Sequence, residues 1–348
     1  MDLRVKIGPL TLKNPIICGS GEHVLTEAGI RAALAQGVGV VVAKSINESG
    51  PAREQLEQTD YAALTPDWGA QAWNTGLRAG ILCRSGLQPR ACEDWIAALA
   101  VLDQEARRQD AYVAASLILA DLGEAVRLAK MVQAAGIRMI EFNIGTPYAD
   151  EASHGGVATE RAAARVREQV AAVCAAVDIP VWVKLTGLSE NVAALAAGAR
   201  EGGAAAVTMI GRMLGMLPDL DEMAPILGTN LGYGGPWALP LTCYWLARSR
   251  KHLGPDFPLI GTNGARSGAD AARMLLAGAS AAQYCTAVMT GGFEVLGQAL
   301  ADLSAYLDSK QITAQQLVGT AADRVGAFGD RPSRPGYWRG FVPAQTLA

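Results

Sequence analysis

Short apolar runs alternate with amphipathic stretches along the chain. Eight runs rich in β-branched or other apolar residues lie at 16–19, 38–44, 112–119, 139–143, 180–185, 205–210, 258–262 and 281–284. A helix-spaced stretch comes after each of them. This alternation is the mark of parallel βα units, and eight such units predict a closed (β/α)8 TIM barrel of the α/β class. The predicted helices are rich in alanine. Stretch 122–135 ends at Gly136, 160–176 runs up to an Asp-Ile-Pro turn, 192–201 ends at Gly202-Gly203, and 293–307 is the last. Glycine just past a helix supplies the left-handed residue that stops it.

A doubly wound open sheet uses the same alternation, but for a dinucleotide its first βα turn should carry G-x-G-x-x-G, and Gly19-Ser20-Gly21 does not. Two stretches, 47–109 and 212–239, are too long for ordinary connections, and in a barrel such insertions build or cover the active-site mouth. They are expected to be lids rather than domains. The expected organisation is a barrel over 1–310 and a C-terminal extension over 311–348. The end of that extension, 321–348, is rich in Arg, Gly, Pro and aromatic residues, and wraps the barrel, reaches a neighbouring subunit or is disordered.

Composition narrows the picture. Half of the 348 residues are hydrophobic and 18% are charged, enough apolar material for a large core. A net charge of −3 gives no general attraction to nucleic acid or anionic membranes. No run of about 18 apolar residues occurs, and the opening MDLRVKIGPLTLKNP lacks a signal-like apolar stretch. A cytoplasmic protein is expected. The six cysteines are dispersed without a C-x-x-C pair, and none of the three histidines stands three or four residues from another. Reduced thiols and no metal are expected.

In a barrel, polar groups that end strands face the catalytic mouth. Of seven lysines, Lys44 and Lys184 end apolar strands, in VVVAKS and VWVKL. A lysine there either snorkels to solvent or meets an anion or an electron-rich ligand atom. Asn143 ends the fourth strand in IEFNIGTP, where its amide either pins a loop or meets a heteroaromatic edge such as a flavin pyrimidine ring. Late in the chain, LGYGGPWALP, PLIGTNGARSGAD and AAQYCTAVM place glycines after strands, where backbone N–H groups can approach a phosphate.

These residues carry a family resemblance. IEFNIGTPYAD is similar to the E-L-N-x-S-C-P-N segment of dihydroorotate and dihydropyrimidine dehydrogenases, VWVKLTG to their V-K-L-x-P, and GYGGPWALP to their G-G-x-S-G-x-A-x-x-P. PLIGTNGARSGADAARMLLAGASAAQYCTAVM resembles their P-I-I-G-x-G-G-I-x-S-x-x-D-A-x-x-x-L-x-A-G-A-x-x-V-Q-V-x-T-A. The resemblance runs from Lys13 to about Leu307 and implies an FMN-binding barrel. It places flavin contacts at Ser20, Gly21, Lys44, Ser45, Asn143 and Lys184, and the phosphate at Gly234, Gly235, Asn263, Gly264, Cys285 and Thr286.

The substrate side departs from the family pattern. Thr146 stands where dihydroorotate dehydrogenases place a Cys or Ser base, and Tyr148 where they place an orotate-binding Asn. Gly211-Arg212 aligns with their second asparagine pair and Cys83 with the asparagine of another loop. Thr159 falls where dihydropyrimidine dehydrogenase has its acid cysteine. Replacement of the whole set implies a ligand other than orotate or uracil. Arg212 offers a planar fork for a carboxylate or other anion, or else makes a surface salt bridge. The candidates for the proton are Thr146, His154 and Thr159, with Tyr148 on the same loop and His23 a further possibility beside the substrate.

The expected activity is that of an FMN-dependent oxidoreductase moving a hydride between flavin N5 and a carbon–carbon bond of a small, anionic, cyclic substrate. Its electron donor or acceptor would be a small molecule or another protein, and the resemblance implies a homodimer. Three alternatives stay open: reductive elimination or oxygen-dependent oxidation on the same flavin, a non-catalytic flavin-binding subunit, and a barrel of another family that binds a phosphorylated substrate.

Overall fold

Strands buried on both faces read as unbroken apolar runs because helices cover one face and the barrel interior the other. In a computed structural model, which describes residues 1–71, 73, 79–146 and 159–347, each of the eight runs forms a parallel strand: β1 (Ile16–Cys18), β2 (Val40–Val42), β3 (Tyr112–Ile118), β4 (Ile140–Asn143), β5 (Val181–Lys184), β6 (Ala206–Met209), β7 (Leu259–Thr262) and β8 (Ala281–Tyr284). They pair in chain order and close through β8 on β1, in the register Ala282 to Ile16, Gln283 to Ile17 and Tyr284 to Cys18. The three valines of β2 are fully buried, and each such side chain contributes about 1.5–3 kcal/mol relative to exposure.

Among the described residues, eight barrel helices come after the strands: α1 (Glu27–Ala35), α2 (Cys92–Arg107), α3 (Leu122–Ala134), α4 (Ala163–Cys174), α5 (Val192–Glu201), α6 (Leu239–Leu253), α7 (Gly268–Leu276) and α8 (Glu294–Lys310). Thr26, Asp121, Asn191 and Ser267 cap α1, α3, α5 and α7, each side chain accepting from the backbone N–H three residues on. Gly136 and Gly203 take φ of +82° and +97° just past α3 and α5, the role the sequence assigns them. Helix α4 starts three residues later than its periodicity predicts. The Glu160 carboxylate accepts from the N–H groups of Arg161 and Ala162, and its own N–H donates to the Ile144 carbonyl, so Glu160 turns the chain ahead of the helix.

The long stretch 47–109 contains α2, an ordinary barrel helix, so the first insertion proper ends before Cys92. What remains joins the second insertion in a single antiparallel sheet. Its five strands, in spatial order, are Met213–Gly215, Leu231–Gly234, Gly80–Arg84, Asp60–Leu64 and Ala70–Gln71. Ala62, Leu64, Leu82, Ile226 and Leu231 form its own small core. The insertions are thus one lid sheet built by two distant segments.

At the opposite end, a hairpin of Val5–Ile7 and Leu10–Leu12 closes the foot of the barrel, with Gly8 against the Ala205 carbonyl just ahead of β6. The Ala314 N–H donates to the Asp2 carbonyl there. No helix among the described residues is long and apolar enough to cross a membrane.

Candidate active site

Strand ends, the loops after them and the lid sheet enclose a cavity of about 1130 Å³, open mouth included. The first two strand ends bring Ser20, Gly21, Lys44 and Ser45 to its wall, and β4 and β5 bring Asn143 and Lys184. Gly235, Asn263, Gly264, Cys285 and Thr286 line it from the loops late in the chain. Gly234 sits immediately behind, where a Cβ would meet Asn263 and Arg212.

Beneath this wall lies a polar group inside the barrel. Strands β4 and β8 stand on opposite sides, so a bond between their side chains spans the interior. The Gln283 amide donates to Glu141 at 2.6 Å, and Lys184 Nζ donates to Gln283 Oε1 at 2.9 Å and lies 3.5 Å from Glu141 Oε1. Thr208 donates weakly to the same carboxylate at 3.4 Å. Glu141 has no solvent exposure, a state a carboxylate tolerates only when paired and hydrogen-bonded. The network therefore fixes Lys184 at the cavity floor.

Lys44 is held differently. Its Nζ donates to Glu22 Oε1 at 2.8 Å, and the Tyr61 hydroxyl, from the lid sheet, donates to the other carboxylate oxygen. Burial alone would raise Glu22, but the Lys44 charge and hydrogen bond, with help from Tyr61, outweigh it and hold the carboxyl below its usual range. Burial, then the neighbouring Glu22 charge, push Tyr61 far up. Near neutral pH Glu22 is an anion and Tyr61 a proton-bearing hydroxyl. Ser45 bonds to Ser116 at 2.7 Å and to Ser20 at 3.3 Å, tying the first three strand ends together.

Asn263 takes φ of +68°, and its side chain accepts from the Gly235 N–H and donates to the Gly211 carbonyl, both at 3.1 Å. It joins three loops around the cavity. Two glycines nearby answer to close approach of backbone: a Cβ on Gly264 would come within 2.6 Å of Leu239 N, and one on Gly235 within 2.6 Å of Gly80 Cα. A Cβ on Gly21 would meet His23 and Cys285 at 2.7 and 2.8 Å. Burial raises the Cys285 thiol despite Arg212 and Lys184, which keeps it protonated beside the loop rather than reactive.

The residues assigned to substrate divide. Arg212 lines the cavity and reaches into the lid sheet, donating to Cys83 Sγ at 2.5 Å and Ser85 Oγ at 3.0 Å. Cys83 is buried behind Arg212, its thiol raised by burial against the Arg212 charge. Thr146 is 4% exposed and lines the cavity, and its hydroxyl has no partner among the described residues. The Thr159 hydroxyl donates to the Thr146 carbonyl and so braces that loop. Tyr148 and His154 lie outside the described residues. Glu22, Tyr61, Ser85 and Gln283 are part of the site that the sequence alone did not disclose. Glu22 had a signal, a carboxylate directly after Gly21 at a strand end.

His23 turns away from the cavity and packs behind Gly21 with its ring 6.0 Å from Phe293. Both ring nitrogens are sealed from solvent. Burial, helped by the Lys44 charge and opposed by Glu22, lowers its pKa from 6.5 to about 4. Between those values the unfolded chain takes up a proton that the folded chain does not, so His23 costs nothing above pH 6.5 and destabilises progressively as the pH falls towards 4. The full shift corresponds to about 3 kcal/mol. A His23→Leu variant should therefore lose less stability than the parent between pH 6.5 and 4, read from urea midpoints. Equal losses would show that His23 is not the titrating group.

Comparison with known proteins places this geometry. The sequence model of dihydroorotate dehydrogenase matches residues 2–307. The chain is 29% identical over 325 residues to the catalytic subunit of dihydroorotate dehydrogenase B (NAD(+)) from Methanocella arvoryzae, covering 92% of this chain and 98% of the relative. It is 31% identical over 321 residues to dihydroorotate dehydrogenase A (fumarate) from Lactiplantibacillus plantarum, covering 91% and 97%. With the corresponding catalytic subunit from Methanosarcina mazei it shares 31% over 311 residues, covering 87% and 92%. The family consists of FMN flavoproteins, and the cavity fits that group. Two ammonium groups face a space suited to a flat ring rich in acceptors, and a buried hydroxyl on its wall awaits a partner. Fold, cavity and sequence agree that the chain belongs to the dihydroorotate dehydrogenase family of oxidoreductases.

Proposed function

We propose that the chain is an FMN-dependent oxidoreductase acting on a carbon–carbon bond of a small cyclic substrate that carries an anionic group and is not orotate. The make-up of the cavity supports this reading: Thr146 and Arg212 line it where the family resemblance expects a Cys or Ser base and an asparagine pair, and Glu22, Tyr61 and Ser85 stand on the same wall. A site made to pair pyrimidine amides discriminates because a misfit leaves its buried polar groups unpaired. Exchanging an asparagine pair for a guanidinium, in a cavity that also holds the Glu22 carboxylate, changes what pairs.

FMN, when bound, supplies the two-electron redox chemistry. Lys44, Lys184 and Asn143 hold and orient its ring, and Gly234, Gly235, Asn263, Gly264, Cys285 and Thr286 receive its phosphate. Arg212 is set in place by Cys83 and Ser85 before substrate arrives, so its fork orients an anionic group at little further entropic cost. The lid sheet keeps water from the reacting atoms. Thr146 holds the proton at its hydroxyl, and Glu22 with Tyr61 forms a second hydrogen-bonding pair towards the substrate.

The names of the relatives favour a second reading, in which dihydroorotate itself is the substrate. One experiment separates the two. The purified protein is expected to show a flavin spectrum, bleached anaerobically by a saturated cyclic acid and only slowly by dihydroorotate. Faster bleaching by dihydroorotate than by every other acid tested would establish the second reading, and a protein that purifies without flavin would refute both.

A further inference from the structure

The C-terminal arm and the outer face of the lid sheet have matching chemistry, and the arm is rooted at the end of the molecule away from the lid. From Asp323 to Leu347 every residue is exposed except half-buried Val342. Large apolar side chains are among them, with Phe328 at 95% exposure and Phe341 at 71%, and Tyr337 and Trp338 also open. The arm is nevertheless shaped. Arg334 lies over the Tyr337 ring, Arg339 over Trp338, and Tyr337 meets Phe341 edge-on at 5.2 Å. Between 325 and 347 it carries Arg331, Arg334 and Arg339 against a single acid, Asp330.

On the lid sheet, Leu64, Trp68, Leu82, Met216, Leu217 and Tyr233 line an apolar groove of about 540 Å³. Trp68 and Met216 are half exposed, and Leu220 and Met223 almost wholly so. The neighbouring bend carries Asp219, Asp221 and Glu222, and the stretch 213–239 has no Lys or Arg at all. Basic, aromatic arm and acidic, apolar groove are complementary in both respects.

Barrel helices run against the strands, so they end at the foot. The arm is rooted there: the Gly319 and Ala321 N–H groups donate to the carbonyls of Leu275 and Leu276 at the end of α7, and Arg250 near the end of α6 grips Asp323 at 2.8 and 2.9 Å. The lid stands at the other end, a barrel height away, which is about 22 Å for the 15 residues of α6. In a side-by-side antiparallel pair, the foot of each copy lies beside the crown of the other. A two-fold axis then closes two identical contacts at once.

We propose that the C-terminal arm of one copy seats its aromatic side chains in the lid-sheet groove of a second copy, forming a reciprocal dimer. This does not depend on which substrate the site takes. The test replaces Phe341 by the photoreactive p-benzoyl-phenylalanine in the full chain, irradiates it, and reads the product on a denaturing gel and by peptide mapping. A band of two chains is expected, its cross-link mapping to the strands around Trp68 and Met216. Combining that substitution with Trp68→Ser and Met216→Ser should lower the two-chain yield about tenfold, with the flavin spectrum reporting an intact barrel. Cross-links within one chain, cross-links elsewhere, or no two-chain product would overturn the proposal.

Discussion

Lys184→Met should lower folding stability by about 3–5 kcal/mol, the usual consequence of removing one partner of a buried ion pair. Glu141 would keep only the neutral donors Gln283 and Thr208 in a position without solvent exposure. Lys184 itself is 15% exposed, so the loss falls on the carboxylate below it rather than on the lysine. The double variant Lys184→Met/Glu141→Gln removes that charge and should recover more than half of the deficit. Urea unfolding of the three proteins at one pH decides the matter. A loss in the single variant under about 1 kcal/mol, the range of an exposed pair, would show that the network does not carry Glu141.

Thr146→Val should leave the flavin spectrum unchanged and slow anaerobic flavin reduction by substrate by about 10²–10⁴-fold, the contribution of a positioned proton-transfer group. Valine keeps the shape and removes only a hydroxyl that no described neighbour uses, so folding should suffer little. Thr159→Val gives the contrast. Its hydroxyl braces the Thr146 carbonyl, which makes it a positioning residue, and substrate concentration dependence should change more than the limiting rate. Reduction of Thr146→Val at a rate within about threefold of the parent would remove this residue from the proton's path.

The barrel was legible because its signal is local and repeated. Each strand is an apolar run long enough to be buried on both faces, and most helices carry a cap or a terminal glycine beside them. Lys44 and Lys184 stood out for the same reason, as charges ending apolar strands. Glu141 carries an equal signal in IEFN: a carboxylate two residues before Asn143 shares that residue's face and needs a cation across the interior. Tyr61 and Ser85 could not be read at all. Their place in the site comes from lid-sheet register, Tyr61 opposite Cys83 and Cys83 opposite Gly232, which links segments some 150 residues apart through no local pattern. His23 misled because its neighbours Gly21 and Glu22 do face the cavity, while the turn that begins at Glu22 sends the imidazole behind them.

The pairing of Gly80–Arg84 with Leu231–Gly234 also governs how substrate preference could be transplanted. Arg212 leaves the barrel with one inserted segment and finds both of its anchors, Cys83 and Ser85, on the other. Exchanging either segment alone with a homologue would keep the backbone ladder but part the guanidinium from its seat. The two pieces of chain, remote in sequence, form a single heritable cassette, and selectivity would travel only when both are moved together.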